Sequence, residues 1–427
     1  MKGFETVMVE KKVLKIGVMG AQMGGAHTRS MKALGDRAVI TAICEKNPEI
    51  YNRVDGWVRP ETKFYTDFDE FIHSGIDAVI LANYFHEHAK YAIKAFEAGV
   101  DVLSETTAAP SLAECVQLVE AYEKYGRKYS LAVNCSYFDS VYNMRNKIRS
   151  GEAGKVLYAE AEYYHSADKH AVGAFNSDIN NLHWRQTLPG SYYNMHTLGA
   201  LMYATDSMPK TVWCKSIHVP GAYILPTKLT DSPGAVVITE MDNGAVFKTT
   251  GCSSIKPTSK WYRINCENFC MESERYDESE KKYIQAKGHG DVEITIPGSV
   301  NVGLDTPDIQ AIKAKFDEQI EHGGVSHGGI DLYNKVHFIN YLNGEEESEF
   351  DIYKAVTLSA VGILGWYSVL TGKEFRIPDF RNPEDRDKIR WDTRMPFAKK
   401  YEELTLPCKL EERDKFDLYD QKYKFGL

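Results

Sequence analysis

The stretch from Lys12 to His27, K-V-L-K-I-G-V-M-G-A-Q-M-G-G-A-H, constrains this chain more than any other. Val13, Leu14, Ile16, Val18 and Met19 form a short, nearly continuous apolar run, the pattern of a parallel strand buried on both faces. The run ends in a glycine-rich turn, Gly20-Ala21-Gln22-Met23-Gly24-Gly25, and a helical segment follows to about Leu34. Strand, glycine turn and helix in that order put backbone N–H groups and a helix N-terminus where a pyrophosphate can sit. Gln22 stands at the second glycine of G-x-G-x-x-G, so the match is imperfect.

The next segment strengthens the reading. Ala38 to Cys44 predicts a second strand, and Glu45 sits at its end, twenty residues after Gly25. A dinucleotide fold places a carboxylate there to accept hydrogen bonds from the adenosine ribose hydroxyls. Glu45 would repel a 2′-phosphate, which favours NAD over NADP, while Lys46 beside it works the other way. A short helix at Phe68–Ile72, a strand at Asp77–Asn83 and a helix at His86–Ala98 closed by Gly99 come next. A strand at Asp101–Glu105, a helix opened by Ser111 with Glu114 three residues on and closed by Gly126, and a strand at Lys128–Asn134 complete the alternation. Residues 1–134 therefore read as a doubly wound, dinucleotide-binding Rossmann domain. Ligands on such sheets bind at the strand exits. The cofactor contacts expected there are Gly20, Gln22, Met23, Gly25, Glu45, Lys46, Asn83, Tyr84, His88, Glu105 and Asn134.

A chain of 427 residues has room for two or three domains, each with a core of its own. Its net charge of −9 argues against nucleic acid as a partner. The first residues, M-K-G-F-E-T-V-M-V-E-K-K, are charged and lack the apolar core of a signal peptide. No apolar run approaches the ~20 residues of a membrane span, so no membrane partner is expected. Eight cysteines are scattered through the chain, and Cys266 and Cys270 alone are weak evidence for zinc. Reduced thiols in a cytoplasm are the simplest account, and no metal is expected.

Past residue 140 the pattern changes. A helix at Val141–Arg149 gives way to strands at Val156–His165, Thr211–Val219, Ala235–Met241, Ala245–Gly251, Trp261–Cys266 and Asp291–Pro297, with Asp242-Asn243-Gly244 as a hairpin turn. Helices return at Pro307–His322 and Ile352–Thr371. Residues 135–375 thus read as an α+β domain with an open, mostly antiparallel sheet, and the charged, Pro-punctuated residues 376–427 as an arm packed across the surface.

These residues resemble the Gfo/Idh/MocA oxidoreductases. The family's Ala-Thr-Pro-Asn-x-x-x-His stretch is matched by Ala82 and His88, with Asn83, Tyr84 and Phe85 between them. Its Glu-Lys-Pro motif, whose lysine serves hydride and proton transfer at a substrate alcohol, reads Glu105-Thr106-Thr107 here: the glutamate is kept and the lysine is gone. The NAD-dependent glycosidases of glycoside hydrolase family 109 also lack that lysine, and the chain is similar to them over about residues 12–381. Asn134-Cys135-Ser136-Tyr137, Tyr163-Tyr164-His165, Trp184-Arg185, the run Gly190 to Gly199, His327-Gly328-Gly329-Ile330-Asp331 and Ile377-Pro378-Asp379-Phe380 all have counterparts. Asn194 and Thr107 stand where that family usually has proline.

The resemblance implies a reaction in which NAD⁺ is recycled on each turnover. The sugar is oxidised at C3, the now acidic C2 proton is removed, the aglycone leaves C1, water adds, and the hydride returns. The protein must supply proton-handling groups at the C3 hydroxyl and at C2. His196 is the first candidate at C3, since imidazole titrates near ~6.5; a buried histidine capping the following helix is the alternative. Tyr163 and His165 share one face of their strand with Leu157, Ala159 and Ala161 by the period of two. Tyr163 could act as the C2 base only if a neighbouring cation lowered its pKa from ~10; a pair that merely satisfies its own hydrogen bonds is the alternative. Tyr193 completes the catalytic set. Trp184, Arg185 and His327 are substrate-binding candidates, although core or rim packing is the commoner use of aromatics and arginine. His86 and His88, two apart, face different sides of a helix, which argues against a metal pair. The leading expectation is a glycosidase acting on a glycoside. A sugar dehydrogenase or ketosugar reductase of the parent family comes next, and a non-catalytic sugar or cofactor sensor third. A homo-oligomer formed through the sheet of the second domain is expected by analogy.

Overall fold

The computed structural model describes residues 12–35, 37–54, 56, 58–164, 180–218, 229–252, 259–275, 283–287, 291–295 and 330–416. A six-stranded sheet is built from β1 (Leu14–Met19), β2 (Ala38–Cys44), β3 (Lys63–Tyr65), β4 (Ala78–Leu81), β5 (Asp101–Ser104) and β6 (Tyr129–Leu131). All its pairings are parallel, in the order β3-β2-β1-β4-β5-β6. Helices α1 (Ala21–Lys32), α2 (Phe68–Ile72), α3 (His88–Glu97) and α4 (Leu112–Tyr125) lie between these strands in the chain. This is the Rossmann order, and the strand sequence reverses between β1 and β4, which opens a crevice at their carboxyl ends. Residues Ile16 to Met19 are all buried, as an apolar run covered on both faces requires. Nothing in the sequence marks β3, because Lys63 and Phe64 are exposed on the sheet's edge.

The glycine turn is tighter than its sequence suggests. Helix α1 begins at Ala21, directly after Gly20, which turns the chain at φ +91°. A Cβ on Gly20 would lie 2.5 Å from the Ala82 carbonyl oxygen, and one on Gly24 2.6 Å from Val18 Cγ1. One on Gly25 would meet only Val54 Cγ1, at an ordinary 3.7 Å. The glycine that lets α1 pack on β1 is therefore Gly24, not Gly25.

The second sheet has nine strands among the described residues: β7 (Val156–Tyr164), β8 (Thr211–Ile217), β9 (Gly234–Glu240), β10 (Val246–Cys252), β11 (Ser259–Cys266), β12 (Cys270–Ser273), β13 (Tyr283–Lys287), β14 (Asp291–Thr295) and β15 (Phe375–Arg376). Their order is β14-β13-β12-β11-β7-β10-β9-β8-β15, antiparallel throughout except where β7 meets β10. Gly244, at φ +84°, makes the turn from β9 into β10. The later helices are α5 (Asp139–Arg149), α6 (Ala200–Thr205), α7 (Ile330–Leu342), α8 (Ile352–Thr371) and α9 (Pro383–Ile389). The expected helix at Pro307–His322 lies outside the described residues.

Three expectations change here. Leu157 does not share the buried face of Ala159, Ala161 and Tyr163: it is 53% exposed. The ladder to β11 passes from Tyr158–Asn265 to Val156–Cys266, so Leu157 is the extra residue of a bulge. Helix α8 has the length and apolarity of a membrane span, but 83% of its apolar window is buried inside the protein. It packs against β8 and α4, tying the two sheets together. Finally, the C-terminal residues do more than lie across the surface. Phe380, Ile389, Phe397, Leu406 and Cys408 are buried, Leu182 N–H donates to the Lys399 carbonyl at 2.8 Å, and Trp366 Nε1–H to that of Pro407 at 2.9 Å.

Candidate active site

The crevice at the β1, β4 and β5 exits continues beneath β7 and the segment Trp184–His196 as one cleft. Met23, Asn83, His88, Glu105 and Asn134 line it from the first domain; Tyr163, Trp184, Arg185, Tyr193 and His196 line it from the second. Ten of the residues singled out from the sequence are thus brought together. Gly20, Gln22, Gly25, Glu45, Lys46 and Tyr84 lie outside this pocket, along the β1–α1 turn and beyond the β2 and β4 exits. His165 and His327 lie outside the described residues.

At the β2 exit, Glu45 Oε2 accepts the Ala21 N–H at 2.9 Å and Oε1 that of Asn47 at 3.1 Å, so the carboxylate is held beside the start of α1. Lys46 is drawn away from it, with Nζ 3.0 Å from Glu87 Oε1. Burial lowers the Lys46 pKa, and the Glu87 carboxylate more than restores it. Tyr84 stands half-exposed nearby. These residues fit a dinucleotide. Gly20 offers no side-chain cap to α1, and Glu45 takes only the first N–H, that of Ala21, so the rest of the first turn is available to a phosphate. Asn83 Oδ1 and Asn134 Oδ1 are buried acceptors without a hydrogen-bond partner among the described residues, suited to a carboxamide NH₂.

His88 is 1% exposed, and both of its ring nitrogens face backbone carbonyls: Nδ1 the Thr107 oxygen at 2.8 Å, Nε2 the Asn83 oxygen at 3.3 Å. Burial pushes its pKa down, partly opposed by those bonds. It joins the β4 and β5 exit loops, and a single ring N–H can serve only one of the two carbonyls, the Thr107 contact being the shorter. Its neighbour on the cleft floor, Glu105, meets His27 Nε2 at 2.7 Å. Burial alone would push the Glu105 carboxyl up, but the His27 contact outweighs it and holds the group below its usual range. Asn134 Nδ2 donates to Asp331 Oδ1 of α7 at 3.3 Å. Thr106, which fills the lysine position, lines the same floor.

Opposite lies the proton-handling wall. The turn Gly190–Tyr193 crosses the sheet so closely that a Cβ on Gly190 would sit 2.3 Å from the Gly234 backbone. A single π-helical turn, Met195–Gly199, then aims His196 into the cleft. The His196 ring stacks on Tyr163 at 4.4 Å and 23°, and meets Tyr193 edge-on at 5.2 Å. Its Nδ1 is 3.4 Å from Cys135 Sγ, and its carbonyl accepts the Tyr262 hydroxyl at 2.8 Å. Lys260 pairs directly with Tyr163 across the β7–β11 ladder, so a cation shares that face. Its Nζ sits 5.1 Å from the Phe138 ring centroid.

The rim is aromatic. Trp184 stacks on Phe85 at 4.9 Å and carries the Arg185 guanidinium 4.4 Å from its ring, so its faces are already used. His86 and His88 diverge as their spacing predicts: His86 stacks on Phe397 at 6.1 Å. Burial pushes His86 and His183 down to about 4 each; Glu87 opposes this at His86, and Arg185 adds to it at His183. The sequence reading passed over Cys135, Lys260 and Lys335 as site residues. Lys260 could have been found by aligning the β7 and β11 alternations. Cys135 and Lys335 carry no local signal, because their partners are far away in the chain.

Residues 14–133 match the family model described as "Oxidoreductase family, NAD-binding Rossmann fold". A glycosyl hydrolase family 109 protein of Shewanella pealeana is 25% identical over 205 residues, 45% of this chain and 44% of that protein. The matched region thus spans less than half the length of that curated relative. Among solved structures, levoglucosan dehydrogenase in complex with NADH superposes with a TM-score of 0.67 at 16% identity, covering 86% of this chain and 100% of that one. The WlbA dehydrogenase of Bordetella pertussis, in complex with NADH and UDP-GlcNAcA, gives 0.64 at 17% identity over 87% and 99%. Residues 14–133 are thus similar to the NAD-binding Rossmann domain of that oxidoreductase family, and the chain shares the fold of these two dehydrogenases.

Proposed function

We propose that this protein is a glycosidase that uses NAD⁺ as a recycled catalyst, oxidising a glycoside at C3, expelling the aglycone by elimination and then reversing the oxidation. The observation that carries the reading is the Tyr163–His196 stack, which faces a floor where Glu105 is followed by Thr106 instead of lysine. A threonine hydroxyl cannot take a proton near neutral pH. Proton transfer at the sugar therefore falls to the opposite wall, and two adjacent groups there match a reaction that needs a base at C3 and another at C2. Similarity to proteins named for glycoside hydrolase family 109 supports the same choice.

In this reading the bound nicotinamide supplies a reversible hydride acceptor. His196 takes the proton of the C3 hydroxyl. Tyr163 takes that of C2, with Lys260 as the cation that favours its phenolate. Arg185 reaches the sugar hydroxyls, and Tyr193 offers the ring for an apolar sugar face, since Trp184 is occupied. Asn83 and Asn134 hold the carboxamide. Glu45 selects NAD, because Lys46 is committed to Glu87 and no longer offsets repulsion of a 2′-phosphate. A second copy of the chain would pack on the open sheet face around Val246, 40% exposed.

A panel of aryl glycosides, assayed with and without NAD⁺, tests the proposal. A glycosidase of this type frees phenol only with NAD⁺, accumulates no NADH, and places deuterium at C2 in heavy water. Accumulating NADH would mark a sugar dehydrogenase, the reading that the two solved dehydrogenases favour. Neither product would leave a sensor. His196→Ala should lower turnover by more than about tenfold while the cofactor still binds; near-normal turnover removes His196 from the chemistry.

A further inference from the structure

We propose that Lys335, a buried lysine on α7, sets how strongly the cleft prefers oxidised over reduced nicotinamide. The assignment rests on the reading that a nicotinamide dinucleotide occupies the cleft. Asp331 and Lys335 lie four residues apart and so share one side of α7. That helix packs against α1 and the turn beginning at Asn134. Asp331 is 6% exposed and Lys335 1%. Asp331 anchors Asn134, a cleft residue, while Lys335 Nζ has no hydrogen-bond partner among the described residues. A lysine ammonium is rarely buried without a direct contact. Without such a contact, its charge acts on its neighbours only across space.

That field acts on the cleft floor. Burial disfavours the Lys335 ammonium, and Asp331 and Glu105 are the charges that support it. Lys335 in turn helps to keep Glu105 ionised. Asp331 and Glu105 bring two carboxyl groups to the floor, and Lys335 on the same helix as Asp331 offsets part of their charge. An oxidised nicotinamide ring is cationic and a reduced one is neutral, so the floor favours the oxidised form. Lys335 limits that preference, which keeps the bound cofactor a competent hydride acceptor.

The test measures Kd for NAD⁺ and for NADH on the whole chain, by tryptophan quenching and by competition against NADH fluorescence. Lys335→Met removes one positive charge from beside the floor, and the ratio Kd(NADH)/Kd(NAD⁺) should rise by roughly tenfold, the scale of one unit charge at an effective dielectric near 20. Lys335→Arg should keep the ratio within about twofold of the parent. A purely structural lysine would weaken both affinities together and leave the ratio unchanged, which overturns the assignment. If Lys335→Met does not fold, Asp331→Asn carries the test: the ratio should fall, and an unchanged ratio is equally fatal. A parent chain that binds neither nucleotide overturns both this assignment and the function it rests on, whereas binding with a ratio insensitive to these charges overturns only this one.

Discussion

Acid should loosen the rim of this cleft before it affects the rest of the molecule. His86 and His183 titrate near 4, against an ordinary 6.5. Their folded values are depressed, so the unfolded chain binds more protons between about pH 6.5 and 4, and stability falls as pH drops through that window. From pH 7 to pH 5, each histidine at these values withdraws roughly 2 kcal/mol, so the pair withdraws roughly 3–4. Glu114 works the other way: burial pushes its carboxyl up to about 7, so it gains stability as pH falls. The total slope is therefore not the diagnostic quantity; the difference between parent and variant is. His86→Gln with His183→Asn removes both titrations, and the new amide oxygen of the second change retains an acceptor for the Arg185 N–H that His183 Nδ1 now takes at 3.2 Å. Urea unfolding of both proteins at pH 7 and pH 5 should show the parent losing about 3 kcal/mol more than the variant. Equal losses would refute the claim that these imidazoles are held uncharged, half-buried at the rim.

Gly190→Ala should cost about 2–3 kcal/mol of stability, because its new carbon meets Gly234 backbone with no flexible side chain to yield. It should also cut turnover, since the same turn leads to Tyr193 and His196; Gly56→Ala, which meets open space, is the control. Lys260→Met should move the basic-side optimum of turnover upward by about one pH unit while leaving cofactor affinity unchanged; an unaltered pH profile would exclude Lys260 as the cation serving Tyr163.

The parts legible in the sequence were those whose cause is local. Gly20 announces its turn through its neighbours, Ser111 its helix through Glu114, and β1 its burial through an unbroken apolar run. Helix α7 shows the opposite case. Asp331, Asn334 and Lys335 are among its buried residues, so no amphipathic stripe marks it; its polar side is turned inward, toward Asn134 and Glu105. The bulge at Leu157 is equally silent, because it depends on the register of a strand about a hundred residues later. Glu105 and Asn134 on the floor were legible, but Lys335 was not: the motif has no lysine at position 106, and a cation on another element lies where linear motif spacing cannot follow it.

Phe397 has a further consequence, in time rather than in space. It packs against Phe85 and Tyr192 and stacks on His86, all of them made much earlier during synthesis. A nascent chain can complete its nucleotide sheet while this wall is still missing, with two aromatic rings bared to water. This later-made stretch therefore decides when the cleft wall is completed, and a ribosome stalled shortly before it would hold a finished parallel sheet beside an open cleft.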